Sequence, residues 1–208
     1  VNVNDTTPPV ITLVGQNPTV VEVGTIYTEE GATAIDNSNQ NVLINITGTV
    51  DASKIGQYTI TYIASDTSGN ISTATRTVNV NDTTPPVITL NGQNPAVAEV
   101  GTVYTEEGAT VVDNSGELIT ASITGTVDSS TKGTYTVVYT ATDSSNNTST
   151  VTRTVNVVDT TQPVIHILGD NPVTVEAGNT YVEAGATAVD NSSESITVVI
   201  TGTDVLDT

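Results

Sequence analysis

The stretch VNVNDTTPPVITL, residues 78–90, marks the point at which one copy of a repeated sequence unit ends and the next begins. The same string occupies residues 1–13, and a close variant, VNVVDTTQPVIHI, occupies residues 155–167. The three copies place one aspartate each at the same point of a 77-residue period: Asp5, Asp82 and Asp159. A fixed period of this size predicts an array of small domains.

The period predicts four parts of the chain. Residues 1–4 end a preceding repeat or linker, residues 5–81 and 82–158 form two full repeats, and residues 159–208 form a third. The third repeat lacks counterparts of the last two strands, which would leave apolar faces and backbone groups exposed. We expect that the sequence was cut there. The alternative is that a strand from elsewhere completes the fold.

Composition excludes several classes of protein. The 208 residues include 23 acidic and only 4 basic side chains, with a formal net charge of −19, so no positive surface could follow nucleic-acid phosphates. The absence of cysteine excludes disulfides and thiolate metal sites. No apolar run approaches the roughly 18 residues of a membrane span, so no membrane insertion is predicted.

Val, Ile and Thr dominate the sequence, and no stretch has the period of a helix. Apolar alternation and turn residues predict strands at residues 10–13, 20–23, 27–35, 42–47, 58–64 and 71–80, with Gly31 as a bulge inside the third. About seven short strands per repeat, with turns every 8–12 residues, indicate a two-sheet sandwich.

Two tyrosines refine this fold prediction. Gly56-x-Tyr58 and Gly133-x-Tyr135 stand just before the penultimate strand of their repeats. Their position resembles the tyrosine corner of immunoglobulin-like folds, in which the phenol hydroxyl bonds to nearby backbone. The predicted fold class is therefore all-β, with immunoglobulin-like β-sandwich domains in a tandem, extended array.

The combined strings DTTPPVITL, NPxVxEVGTxYTEEGATxxDN, ITGTVD, GxYTxxYxATD and TRTVNV resemble bacterial immunoglobulin-like surface-protein repeats, and are also similar to hyalin-type repeats. The resemblance covers almost the whole chain. It implies an extracellular β-sandwich array on bacterial surface or secreted proteins, commonly beside adhesive or hydrolytic domains. It implies no catalytic residue.

Acidic loops of each repeat are the candidate functional residues. In an immunoglobulin-like sandwich, the start of the first strand, the loop between the second and third strands and the last hairpin lie at one pole. This would bring Asp82, Asp113 and Asp143 together with amide and carbonyl oxygens, a hard donor set that suits Ca²⁺ with its 6–8 oxygen ligands. The arrangement is similar in logic to the linker calcium sites of cadherins.

The same reasoning extends to the other repeats and to the rim of each preceding domain. The predicted calcium ligands are Asp5, Asp36 and Asp66 in repeat one, Asp82, Asp113 and Asp143 in repeat two, Asp159 and Asp190 in repeat three, and the rim residues Glu22 and Glu99. The alternative is that these aspartates form turns, because Asp and Asn side chains bond the backbone two residues on.

No enzymatic site is predicted. The pair Glu29-Glu30 could resemble glycosidase carboxylates, but it recurs in repeat two within a predicted strand that shows no cleft. His166 is the only histidine and has no partners for a zinc site.

The predicted function is a non-catalytic extracellular stalk of a bacterial surface or secreted protein, stiffened by calcium, that projects neighbouring domains of a longer chain. One alternative is an adhesive module that binds a surface glycan or protein, with residues 39–45 and 116–122 as the variable recognition segments. The other alternative is a subunit of a filament or lattice assembled by strand complementation.

Overall fold

A computed structural model describes residues 4–38 and 40–202 of the chain. Residues 1–3, 39 and 203–208, which fall in the predicted leading segment, the first variable loop and the third repeat, lie outside the described residues. Every regular element of the described chain is a strand, as the abundance of Val, Ile and Thr predicts. No helix in this part of the chain has the length and apolar character to cross a membrane.

Each of the first two repeats contains six strands rather than about seven. The strands of repeat one are β1 (Val10–Leu13), β2 (Thr19–Glu22), β3 (Ala32–Ile35), β4 (Leu43–Thr47), β5 (Gly56–Ser65) and β6 (Ile71–Asn81). Those of repeat two are β7 (Val87–Leu90), β8 (Ala96–Glu99), β9 (Ala109–Val112), β10 (Ser122–Thr124), β11 (Gly133–Thr142) and β12 (Thr148–Val158). The described part of repeat three contains β13 (Val164–Ile167) and β14 (Ala186–Val189).

The strands of each full repeat form two sheets. In repeat one, β1 pairs antiparallel with β3, and a second sheet has the order β2-β6-β5-β4, in which β2 runs parallel to β6. Repeat two has the same two sheets, β7-β9 and β10-β11-β12-β8. The predicted class, all-β with tandem immunoglobulin-like sandwiches, is confirmed.

The core of repeat one joins its two sheets. Side chains alternate inward along β5 and β6, so that Ile60, Tyr62 and Val78 are almost completely buried. From the smaller sheet, Ile11 and Leu13 pack against this cluster.

The chain divides into two compact units that differ from the sequence repeats. The first contains Val1–Val87, Val111–Thr120 and Ala141–Ser149, and the second contains Ile88–Thr110, Ala121–Thr140 and Thr150–Thr208. The boundaries read from the 77-residue period remain predictions.

The tyrosine corners are confirmed in both full repeats. The Tyr58 hydroxyl donates to the carbonyl of Lys54 at 3.0 Å, and the Tyr135 hydroxyl donates to the carbonyl of Thr131 at 2.8 Å. Each bond closes the turn that leads into β5 or β11.

The predicted strand over residues 27–35 was wrong in its first half, since β3 begins only at Ala32. The reason lies in the polar groups of the preceding segment. The Tyr27 hydroxyl and the Gly31 N–H both donate to the carboxylate of Glu29, so the segment is bonded locally instead of along a neighbouring strand. Gly31 has φ of 84°, and it precedes β3 instead of forming a bulge inside it.

A buried arginine links the two sheets of repeat one. Arg76 lies on β6 in the inward phase and is only 1% exposed. Its Nε lies 3.0 Å from Glu29 Oε1 and 3.0 Å from the Tyr62 hydroxyl. The rest of its guanidinium donates to backbone carbonyls next to the smaller sheet, those of Val14, Gln16 and Gly31.

Repeat two contains the same network. Arg153 is 0% exposed, and its Nε lies 2.6 Å from Glu106 Oε1 as an ion pair whose N–H is not aligned for a hydrogen bond. Its other nitrogens donate to the carbonyls of Asn91, Gln93 and Gly108. Burial opposes ionisation of the glutamate, but hydrogen bonds from Tyr139 and Tyr104 and the charge of Arg153 together lower the pKa of Glu106.

Substitution of the buried arginine tests this network. Arg76→Met removes the buried cation that pairs with Glu29 and the guanidinium donors to three carbonyls, so we expect a loss of roughly 3–5 kcal/mol in the unfolding free energy. Denaturant unfolding of the full chain, followed by circular dichroism, measures it. The control is Lys54→Met, because that side chain is 76% exposed and its loss should change stability by less than about 0.5 kcal/mol. Equal effects of the two substitutions would contradict the assigned role.

Candidate functional site

The three predicted aspartates of repeat one come together in the structure. Asp5 lies before β1, Asp36 directly follows β3, and Asp66 directly follows β5. Each offers a carboxylate oxygen, and these oxygens all lie within 4.8 Å of one another. The three segments meet because a sandwich brings these strand ends to the same pole.

Repeat two contains an equivalent cluster, and all of it lies in the first compact unit. Asp82 directly follows β6, Asp113 follows β9, and Asp143 follows β11. One carboxylate oxygen from each again lies within 4.8 Å of the other two. We call these two groups, Asp5–Asp36–Asp66 and Asp82–Asp113–Asp143, the aspartate clusters.

The hairpin asparagines hold the clusters together. The backbone N–H of Asn147 donates to Asp143 Oδ1 at 2.8 Å, and its amide Nδ2 donates to Asp143 Oδ2 at 2.8 Å. The same Nδ2 donates to the backbone carbonyl of Asp82 at 3.2 Å. Asn70 makes the equivalent bonds to Asp66 and Asp5. The hairpin is thereby tied to the segment that leads into each repeat.

Turn formation explains the hydrogen bonds of only some carboxylate oxygens in each cluster. In Asp113, Oδ1 accepts from the N–H and hydroxyl of Ser115 at 2.9 and 2.6 Å, as expected for a turn-forming aspartate. In Asp82, Oδ1 accepts from the N–H of Thr84 at 3.2 Å. The other carboxylate oxygens of these residues, Oδ2 in both, are buried and have no hydrogen-bond partner. Asp5 Oδ2 and Asp36 Oδ1 are in the same situation.

Burial of these unpartnered oxygens lowers the stability of the folded state when no cation is bound. Asp82 is only 7% exposed. Burial, followed by the charges of Asp113 and Asp143, raises its pKa above the ordinary value. A buried carboxylate without a donor is destabilising, and a hard divalent cation would supply the missing positive charge. The oxygen-only donor set fits such an ion.

The carboxylate of Glu22, the predicted rim ligand, has donors from the protein. It accepts from the Thr83 N–H at 2.9 Å, the Thr84 hydroxyl at 2.7 Å and Asn114 Nδ2 at 3.0 Å. These bonds lower the pKa of Glu22 to about 2, the Thr83 N–H making the largest contribution. We call this set of four residues the glutamate latch. The role of Glu22 as a metal ligand stays a prediction.

The latch brings two backbone segments into close contact. Asn114 Nδ2 also donates to the carbonyl of Val23 at 3.0 Å. Beside it, Gly24 has φ of +76°, and a Cβ at that position would lie 2.5 Å from the carbonyl oxygen of Asn114. Only glycine fits this approach. The latch thus joins the end of β2 to the loop after β9.

A second latch repeats 77 residues later. Glu99 accepts from the Thr160 N–H at 2.9 Å, from the Thr161 hydroxyl at 2.8 Å and from Asn191 Nδ2 at 3.0 Å. The Thr160 N–H makes the largest contribution to lowering the pKa of Glu99 to about 2. The recurrence shows that the latch is a property of the repeat.

The predicted acids of repeat three stand beside a lysine. Asp190 Oδ1 accepts from the Ser192 N–H at 2.9 Å. Lys132 Nζ lies 4.0 Å from Asp159 Oδ2 and 2.6 Å from Glu194 Oε1. The hydrogen bond to Glu194 is the main reason that the pKa of Lys132 is raised. An ammonium group from repeat two therefore stands near the acids of repeat three.

Sequence reasoning placed Asn114 and Asn147 at this pole as amide oxygen ligands, but it did not predict that they donate hydrogen bonds to the acids. It missed Lys132 and the latch partner Asn191. The asparagines carried a usable signal, since each recurs at the 77-residue period beside a predicted aspartate. Lys132 carried none, because its alignment partner in repeat one is Ile55, Thr131 and Lys54 being the aligned pair.

The latch predicts a specific acid response. Because the folded-state pKa of Glu22 lies near 2 instead of 4.5, its stabilising contribution is complete above about pH 5 and is lost as the pH falls from 4.5 towards 2. We expect the melting temperature of Glu22→Gln to depend less on pH in this window than that of the wild type. Glu30→Gln, an exposed neutralisation in the same repeat, should keep the wild-type slope. Identical slopes for wild type and Glu22→Gln would contradict the latch.

The sequence of this chain is similar to parts of two larger proteins. Hyalin from the sea urchin Strongylocentrotus purpuratus is 41% identical over 94% of this chain, which spans 18% of that protein. A serine-rich adhesin for platelets from Staphylococcus aureus strain N315 is 28% identical over 93% of this chain, which spans 8% of it. The chain thus covers less than a fifth of either relative.

Among solved structures, the extracellular domains EC3–6 of protocadherin gammaB7 align with 89% of this chain and 56% of that one, at 18% identity and a TM-score of 0.39. The family model described as "Bacterial surface protein, Ig-like domain" matches residues 11–80 and 88–157, which is more than half of the chain. With two such matches on two repeated sandwiches, this chain belongs to the Ig-like domain family of bacterial surface proteins.

Proposed function

We propose that this chain is a non-catalytic spacer in a bacterial surface or secreted protein, and that Ca²⁺ bound at the aspartate clusters stiffens it. The observation that carries the proposal is the pair of clusters, each with buried carboxylate oxygens that lack partners. The family, which is one of bacterial surface proteins, supports an extracellular setting.

The donor chemistry favours calcium over other ions. Each cluster supplies three carboxylates and no nitrogen or sulfur ligand, which argues against zinc and copper. Calcium accepts 6–8 oxygens in flexible geometry, whereas Mg²⁺ requires near-ideal octahedral coordination. Carbonyl groups and water would complete the coordination of a calcium ion.

The position of Asp82 connects ion binding to stiffness. It directly follows Asn81, the last residue of β6, and directly precedes Thr83 and Thr84 of the glutamate latch. An ion bound to Asp82, Asp113 and Asp143 would tie this connecting segment to the two loops after β9 and β11. The latch holds the same segment to the end of β2. The two restraints together would limit bending where repeat one passes into repeat two.

Among the described residues, the two aspartate clusters are the candidate calcium sites. The counterparts of two cluster positions in repeat three are Asp159 and Asp190. Lys132 supplies a positive charge near Asp159, which would compete with a cation there.

A second candidate function is adhesion. The variable segments 39–45 and 116–122 each expose a leucine, Leu43 at 74% and Leu118 at 103%. Exposed apolar side chains in variable loops are typical of recognition surfaces. One relative is named as an adhesin for platelets. A ligand found on a glycan or protein array, and lost on Leu118→Ser but not on Ser130→Ala, would favour adhesion over a spacer role.

Thermal unfolding in calcium and in EGTA tests the metal sites. At a dissociation constant near 10⁻⁴ M, free Ca²⁺ at about 100 times that value would stabilise the folded state by roughly 2.7 kcal/mol per site. Asp113→Asn should reduce the calcium-dependent rise in melting temperature. In EGTA the same substitution should leave stability equal or higher, because it removes one of the charges that raise the pKa of Asp82.

A matched control separates ion binding from turn formation. Asp128 Oδ1 accepts from the N–H and hydroxyl of Ser130 at 3.0 and 2.6 Å, which reproduces the turn at Asp113 without a cluster. Asp128→Asn should therefore keep the full calcium response. An unchanged melting temperature in EGTA, or equal responses of the two variants, would reject calcium and identify the aspartates as turn formers only.

A further inference from the structure

A cavity lies beside β8, the strand at one edge of the larger sheet of repeat two. Within the described chain β8 pairs only with β12, so its other edge has no neighbouring strand. The cavity has a volume of about 370 Å³ and is lined by β8 and by the segment 102–107, which follows the turn after β8. This volume falls in the range of ligand pockets. We call the cavity the β8 slot.

The backbone pattern of β8 shows which groups face away from its partner strand. In a parallel pair, every second residue directs its backbone groups at the other strand. The N–H of Val100 donates to the carbonyl of Val158, at the end of β12, at 2.7 Å. Counted back from this bond, Val97 and Glu99 face the opposite way. The Glu99 carbonyl accordingly accepts from the N–H of Thr102 at 3.2 Å.

The segment 102–107 does not close this edge. After the bond between Thr102 and Glu99, residues 103–107 make no backbone–backbone hydrogen bond with any residue of the described chain. The sequence of β8, AVAE, contains neither the lysine nor the proline that commonly protects a free edge. An occupant that bonds this edge must offer donors and acceptors at the spacing of a strand, which an extended peptide does.

Two exposed valines line the β8 slot. Val97 is 65% exposed and Val103 is 91% exposed. Their counterparts in repeat one, Val20 and Ile26, are 64% and 93% exposed, so the apolar pair recurs with the 77-residue period. Such a pair offers apolar contact area to a side chain of an added strand.

The charge of the β8 slot indicates the chemistry of its occupant. The lining contains Glu99 and Glu107 and no basic residue. The Glu99 carboxylate is held by the second latch, whereas Glu107 is exposed. The whole chain has a formal net charge of −19. An acidic segment would be repelled here, and a segment that carries lysine or arginine would be attracted.

We propose that the β8 slot binds an extended basic segment of a partner protein by strand addition to the free edge of β8. The segment would exchange backbone hydrogen bonds with Val97, place an apolar side chain against Val97 and Val103, and place a basic side chain near Glu107. The 4 residues of β8 offer about 13 Å of edge to this segment. This inference does not depend on calcium binding.

The probe is the blocked peptide Lys-Val-Lys-Val-Lys, titrated into the full chain and followed by NMR. The amide signals of Val97, Val103 and Thr105 should shift together and saturate. Val97→Pro removes the N–H that faces the slot and keeps the ladder with β12, because proline is tolerated where an edge N–H has no strand partner. It should weaken binding roughly tenfold, as expected for one lost hydrogen bond. Val103→Thr should weaken binding roughly fourfold, because it replaces one methyl group.

Matched controls separate strand addition from simple charge attraction. The same peptide with N-methyl groups on alternate amides keeps its charge but loses its strand donors, so it should bind roughly tenfold more weakly. Glu-Val-Glu-Val-Glu should produce no saturable shifts. Val112→Thr, which changes a valine of β9 that is 68% exposed, should leave binding unchanged. Melting temperatures confirm that each variant is folded.

Three results would overturn the proposal. The first is the absence of saturable shifts at Val97 and Val103. The second is equal binding of the N-methylated peptide, or unchanged binding by both Val97→Pro and Val103→Thr, since the contact would then be charge attraction alone. The third is a shift of these signals with chain concentration in the absence of peptide, which would assign the slot to a second copy of this chain.

Discussion

The buried arginine of each full repeat is the interaction on which the rest of the sandwich depends. Arg76 lies inside an otherwise apolar strand, and its five donors connect the larger sheet to carbonyls beside the smaller one. A guanidinium suits this place because it is planar and multidentate, and it stays charged when buried. Glu29 and two tyrosine hydroxyls complete the network. The cores of these small domains contain few aromatic residues. The arginine network therefore supplies an important part of the contact between their two sheets.

The segments between repeats are organised by acids with two distinct tasks. Glu22 and Glu99 are satisfied by protein donors, and their low pKa reflects these bonds. The aspartate clusters are not satisfied in this way, since their buried oxygens lack donors and neighbouring charges raise the pKa of Asp82. The first group forms a latch that needs no ion, and the second provides the chemistry for one. In the function proposed above, the latch is the restraint that needs no ion, and the aspartate clusters are the restraint that calcium would supply.

The described part of the third repeat keeps several of the contacts found in the first two repeats. It keeps the strand pair β13–β14, the tyrosine–glutamate contact and the latch partner Asn191. It exposes the apolar residues that β5 and β6 cover in repeat one.

The sequence by itself determined the period, the all-β class, the tyrosine corners and the meeting of the aspartates. These follow from local alternation, turn residues and the known connection of strand ends in a sandwich, so they need no coordinates. The length of β3 did not follow, because Glu29 draws its own neighbours into a local network.

Only the tertiary structure decided where the charged side chains find their partners. Arg76 is one of four basic residues in a highly acidic chain, and its alternation with Val78 and Val80 was the sole sign that it lies inside. Glu22 was predicted as a metal ligand, and its bond to Asn114, which lies 92 residues away, was not predicted. Sequence patterns report neighbours along the chain. Whether a carboxylate meets an amide, a guanidinium or other carboxylates depends on distances that packing alone sets.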